Sequence, residues 1–219
     1  YYVIQNAPSG FENNVLYFYG EEVPALETLV AASDADKYAW ANTPVDSYPD
    51  FNSDYDDDIV KVVFDPSVAN FMPTSNYGWF DNCSSLEEIV WLSYLNTSNV
   101  TTMKYMFSDC EKLTSIDFSN FNTSNCTNMT SMFYDCYELG SLDLSNFDTS
   151  KVTNMRSMFY GCSNLKTLNL SGLNTSVCQS MAEMFSDCSS LSSLDLSNFD
   201  TSMVESVYQM FAGCSSLTT

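Results

Sequence analysis

The sequence predicts an α/β repeat fold: a right-handed solenoid of parallel strands and short helices, with a 26-residue period and a β-rich N-terminal cap. Three observations carry that prediction. Six blocks of one pattern recur, "WFDNCSSL", "MFSDCEKL", "MFYDCYEL", "MFYGCSNL", "MFSDCSSL" and "MFAGCSSL". Their cysteines, Cys83, Cys110, Cys136, Cys162, Cys188 and Cys214, are separated by 27 residues once and then by 26 four times, and Phe80, Phe107, Phe133, Phe159, Phe185 and Phe211 keep the same register. Between blocks, the apolar spacing passes from alternation to steps of three and four, the signature of a strand followed by a helix.

Within one copy, Leu113, Ile116 and Phe118 follow the L-x-x-L-x-L pattern of leucine-rich repeats, so Ile116 and Phe118 face inward while Ser115, Asp117 and Ser119 face outward. The "NTS" or "DTS" that follows supplies a turn and a helix start, because Asx and hydroxyl side chains accept from the backbone N–H groups at a helix N-terminus. Cys126, Met129, Met132, Phe133 and Cys136 then recur at helical spacing, which predicts a short α or 3₁₀ helix with one buried face. No single turn encloses its apolar side, so stability must come from stacking at about 4.8 Å per turn. The one extra residue in the first copy, within "IVWLSYLNTS", predicts a bulge between Ile89 and Asn96.

Residues 1–79 lack the repeat and are read as a capping region, with strands expected at 15–20 and 59–65 and a polar stretch between them that carries Asp54, Asp56, Asp57 and Asp58. Residues 80–219 form the solenoid. A solenoid end exposes an apolar cross-section that an atypical unit has to cover. At the other end "GCSSLTT" stops partway through a copy, which leads us to expect that the native chain continues.

Composition narrows the function. With 28 acidic against 7 basic residues, the net charge of −21 repels phosphate backbones and anionic lipid. No apolar run reaches the length of a membrane span. The absence of histidine removes the usual general base and imidazole ligand, and with no G-x-S-x-G the many serines lack an activating partner. The expectation is a non-catalytic protein without a cofactor. No C-x₂₋₄-C pair points to zinc, so the eight cysteines read as a buried ladder of free thiols and the paired methionines, such as Met103 with Met106 and Met181 with Met184, as adaptable core filler.

The string "SLDLSNFDTSKVTNMRSMFYGCSNL", residues 141–165, closely resembles the BspA-like leucine-rich repeats of bacterial and some protist surface proteins, and the resemblance extends from about Ile59. It implies an extracellular, surface-attached chain with adhesin-like relatives, and it carries over no catalytic residue. Cys126 and Cys178 where Val152 and Val204 stand, Val207 in a methionine position and Leu173 in a phenylalanine position are apolar departures from the pattern.

The candidate binding surface is the outward strand face: Ser115, Asp117 and Ser119; Ser141, Asp143 and Ser145; Thr167, Asn169 and Ser171; Ser193, Asp195 and Ser197. Its acidic column costs roughly 1 kcal/mol per like-charged neighbour pair in water, a cost that a basic partner would remove. Weak calcium binding there is the alternative, although no EF-hand or Asp-rich nonapeptide pattern supports a dedicated site. The expected partner is a protein or glycan on a host or neighbouring cell. The rival function is a structural spacer, or a fibre subunit that self-associates end to end. The recurrent N-x-S/T triplets, including Asn96, Asn122 and Asn174, are read as corner residues.

Overall fold

The computed structural model describes residues 2–5, 14–18, 37–40 and 59–218. Strand β4 (Ile59–Phe64) arises from the nearly unbroken apolar run "IVKVVF", which suits a strand covered on both faces. It pairs in parallel with β5 (Glu88–Val90) on one side and with β2 (Asn14–Phe18) on the other. Beyond β2, β1 (Tyr2–Gln5) and then β3 (Lys37–Trp40) add antiparallel, giving a five-stranded sheet in the order β3-β1-β2-β4-β5. β1 and β3 lie outside the strands expected from the sequence, although Tyr2, Val3 and Ile4 are residue types favoured in strands. Asp54 and Asp56 to Asp58 lie outside the described residues.

Phe18 from β2 stacks on Phe64 at 4.8 Å and on Trp79 at 5.6 Å, and meets Phe80 edge-on at 6.0 Å. All four rings are buried. This aromatic plug starts a column that runs through the repeats. Phe107, Phe133, Phe159, Phe185 and Phe211 continue it with centroids 5.6 to 5.7 Å apart and planes within 7° beyond Phe107. Stacked pairs of this kind contribute about 0.5–1.5 kcal/mol each beyond area burial. Met103, Met129, Met155 and Met181 form a second fully buried column, and Met106, Met132, Met158 and Met184 a third.

The period is explicit in the backbone. Single parallel bridges link Ser75, Thr102, Asn128, Asn154, Ser180 and Ser206 in succession, a step of 27 followed by steps of 26. On the strand side, β6 (Ser141–Asp143) pairs in parallel with β7 (Thr167–Asn169), with Leu142 opposite Leu168. Residues 115–117 and 193–195 occupy the same place in their copies without ladder pairing. The inter-repeat register reaches back through β4 and β5 to Ile59. The extra residue settles at Trp91, which takes the left-handed conformation (φ 58°) between β5 and the 3₁₀ turn Leu92–Tyr94, inside the interval where the sequence predicts a bulge.

The expected helix is absent among the described residues. In the copy that carries Met129 to Cys136, the N–H groups of Met129, Ser131, Phe133 and Asp135 donate across to the carbonyls of Asn154, Arg156, Met158 and Tyr160 at 2.7 to 3.0 Å. The intervening N–H groups of Met132, Tyr134 and Cys136 turn back three residues to Met129, Ser131 and Phe133 at 3.3 to 3.4 Å. Every other amide therefore joins neighbouring copies, and every other one closes a tight turn. Such a ribbon needs a left-handed residue every fourth position: Ser131 and Asp135, Ser157 and Gly161, Glu183 and Asp187. A right-handed helix cannot contain them. The three- and four-residue spacing of the buried side chains is real, but it reports successive turns rather than helical ones.

Candidate recognition surfaces

The corner between the strand side and the bridged side is fixed by threonine. Thr97, Thr123, Thr149 and Thr175 are buried, and each hydroxyl serves the next copy twice. Thr149 Oγ1 accepts from the Asn174 N–H at 2.8 Å and donates to the Asn174 carbonyl at 2.8 Å. The preceding Asx residue closes a local turn, as Asn122 Oδ1 does for the Ser124 N–H at 3.0 Å. The Asx turn of the "NTS" corner is as the sequence suggests, but it starts no helix, and the threonine hydroxyl bonds the next copy rather than a helix N-terminus.

The eight cysteines are free, and seven of them are buried. The recurring thiols donate to the carbonyl of the phenylalanine one copy back: Cys110 to Phe80, Cys136 to Phe107, Cys162 to Phe133 and Cys188 to Phe159, all at 3.1 Å. Burial pushes the Cys126 thiol up to about 11 and the Cys188 thiol up to about 12, so both remain protonated donors. Cys126 and Cys178 instead bond within their own copies, to the carbonyls of Asn128 and Ser180.

All twelve residues of the candidate strand face are exposed. The acidic column is also structural. Asp117, Asp143, Asn169 and Asp195 each accept from the backbone N–H two residues on, that of Ser119, Ser145, Ser171 and Ser197, at 2.9 to 3.1 Å. Those bonds hold the carboxyls of Asp143 and Asp195 below the usual carboxylate value. Shallow depressions lie between the copies here, one of about 320 Å³ over β6 and β7 and one of about 310 Å³ between Asp117 and Asn146. Among the described residues, no three His, Cys, Asp or Glu side chains converge on a point that could hold a metal ion.

A larger groove, about 750 Å³, lies along the turn ribbon and shares no residue with the strand face. It is lined by Lys104 and Tyr105 from one copy, Thr130, Ser131 and Tyr134 from the next, and Arg156 and Ser157 from the third, with Glu183 beyond. Arg156 Nη2 pairs with Glu183 Oε2 at 3.0 Å, and the Ser157 hydroxyl donates to the same oxygen at 2.9 Å. The Lys104 ammonium sits over the Tyr105 ring, 4.7 Å from its centre. Tyr134 stacks on Tyr160 at 4.6 Å. The Thr130 hydroxyl is buried without a hydrogen-bond partner.

Reading the ribbon as a helix hid this groove. A signal for the ribbon existed: the position before each recurring cysteine is Asn82, Asp109, Asp135, Gly161, Asp187 and Gly213, the residue types that best tolerate the left-handed region, and all six occupy it.

Stacked parallel repeats bound by inter-copy ladders, with exposed polar surfaces, place the chain among the repeat proteins. More particularly, it belongs to the family described as Mycoplasma protein of unknown function, DUF285, whose model matches residues 73–142 and again 138–219. Among solved structures, it is similar to a leucine-rich repeat protein from Bacteroides ovatus, with 17% identity, a TM-score of 0.47, and 87% of this chain and 45% of that one covered. It is also similar to the T. pallidum leucine-rich repeat protein, with 17% identity, a TM-score of 0.38, and 85% and 86% of the two chains covered. This chain thus spans less than half of the Bacteroides ovatus chain. No curated protein matches it. No helix among the described residues is long and apolar enough to cross a membrane.

Proposed function

We propose that the chain is a non-catalytic binding scaffold of the BspA-like leucine-rich-repeat type, a right-handed solenoid over residues 80–219 capped by residues 1–79. In this reading it is displayed outside the cell and recognises a protein or glycan on a host or neighbouring cell through the strand face. The observation that supports this is the exposed column of Asp117, Asp143, Asn169 and Asp195, in which every side chain is oriented by a backbone hydrogen bond. Side chains already fixed lose little rotamer freedom on binding, and a −21 chain attracts basic partners.

The test is adhesion of beads carrying the chain to cultured cells, untreated or stripped with protease or glycosidase. Replacing Asp117, Asp143 and Asp195 with Asn removes three charges and keeps the turns, as Asn169 already does. Adhesion that falls several-fold in this variant, with an unchanged melting temperature, supports the reading. Equal adhesion by the variant contradicts it, and wild-type beads that adhere to nothing favour the spacer.

A further inference from the structure

Across the copies, most columns repeat one chemistry: Phe, Met, Cys and Thr inside, and Ser, Asp or Asn on the strand face. Several exposed columns do not, and the bridge register brings three of these together. One reads Tyr77, Lys104, Thr130, Arg156, Ala182, Tyr208. Its neighbour reads Gly78, Tyr105, Ser131, Ser157, Glu183, Gln209, and the third runs from Asp81 and Ser108 through Tyr134 and Tyr160. A position that only has to hold the stack together can be the same in every copy. Positions that differ from copy to copy on one surface carry information that stacking does not require, and these three columns meet in the 750 Å³ groove.

We propose that this groove binds a neutral oligosaccharide, a function independent of the strand face. Its volume lies in the range of small-ligand sites. No aliphatic side chain lines it, so it offers no pocket for an apolar peptide anchor. Its chemistry is that of sugar recognition: the Tyr105 and Tyr134 side chains line it beside the amides of Asn128 and Asn154, and Ser131 contributes a hydroxyl near the floor. Five charged side chains line it: Arg156 pairs with Glu183, Lys104 sits over the Tyr105 ring, Asp109 accepts from the Ser108 hydroxyl, and Asp81 comes from the first copy. The chain's −21 charge opposes an anionic ligand. Thr130 adds an independent observation: it lines the groove, is 8% exposed, and its buried hydroxyl has no partner, a deficit that a hydrogen bond from a ligand hydroxyl would relieve.

Calorimetry and amide NMR with cellohexaose, chitohexaose and mannohexaose, with oligogalacturonate and pentalysine as charged probes, test the proposal. One neutral hexasaccharide should bind and shift the amides of Tyr105, Ser131 and Ser157. Tyr134→Ala should weaken it by about ten-fold, the range of a lost stacking or hydrogen-bond contact. Ser131→Gly is the second variant. It relieves a left-handed serine (φ 53°), so it folds, yet it removes a floor hydroxyl and should also weaken binding. Lys112→Ala, on the exposed surface outside the groove, should leave affinity as it is. Three results would overturn the proposal: no neutral probe binding below roughly 10 mM, binding that both groove variants leave intact, or preference for either charged probe.

Discussion

Thr123 Oγ1 accepts from the backbone N–H of Asp148 at 2.8 Å and donates to the backbone carbonyl of the same residue at 3.0 Å. One buried hydroxyl thereby satisfies both backbone groups of a corner residue in the next copy, and Thr97, Thr149 and Thr175 repeat the arrangement. Thr123→Val keeps the volume but removes both bonds, leaving the Asp148 amide and carbonyl without their partner. The expected loss is about 2–3 kcal/mol, read as a lower urea midpoint. Thr123→Ser keeps both bonds and loses one buried methyl, so it should cost about 1 kcal/mol. Equal losses for the two variants would show that packing, not the paired bond, holds the corner.

Gly161 stands in the left-handed region at φ 72°, and a methyl group added there would run into the Asp135 carboxyl of the preceding copy. Gly161→Ala should therefore cost about 1–2 kcal/mol from the backbone alone, and more while Asp135 is present. In an Asp135→Gly background the clash with the carboxyl disappears and only a close approach to the backbone Cα, 3.3 Å away, remains. A double-mutant cycle should give a coupling of at least about 0.5 kcal/mol between these positions, and a cycle that closes additively would refute the contact.

Asp148 accepts from the Ser150 N–H at 3.0 Å, and the Ser150 bonds hold its carboxyl below the usual value. A carboxyl whose folded value is depressed binds its proton more readily in the unfolded chain. Its contribution to stability is complete above the unfolded value of about 3.9 and is lost as pH falls through the lower folded value. Asp148→Asn keeps the turn and removes the titration, so its stability profile below about pH 4 should fall less steeply than the wild-type one. Parallel acid limbs would rule out this role for Asp148.

The six-fold register and the inward Phe, Met and Cys columns were legible in the sequence, because each repeats as one residue type at one spacing, and the bulge was legible as the one interval of 27; the bond from each buried threonine to the next copy was not. The ribbon was not. Apolar side chains at three- and four-residue steps mark a buried face whether the backbone bonds run within the chain or across to the next copy, and the pattern of Met129, Met132, Phe133 and Cys136 does not distinguish the two. The signal lay one residue before each cysteine, in Asp135 and Gly161, where left-handed tolerance matters more than hydropathy. The groove stayed hidden for the same reason: Lys104, Thr130 and Arg156 become neighbours only when the copies are stacked in their bridged register. Strands β1 and β3 were missed because four residues give no period to read, although the aromatic and β-branched composition of Tyr2, Val3 and Ile4 favours a strand.

Backbone hydrogen bonds between copies, not helices within them, hold the repeat together. Scalar coupling across hydrogen bonds, measured by NMR on the isotope-labelled chain, reads this directly at the Phe133 amide. The ribbon predicts coupling from the Phe133 nitrogen to the carbonyl carbon of Met158, 25 residues away, across the 2.9 Å bond. Coupling to the carbonyl of Met129 instead, the partner an α-helix would supply four residues back, would contradict it.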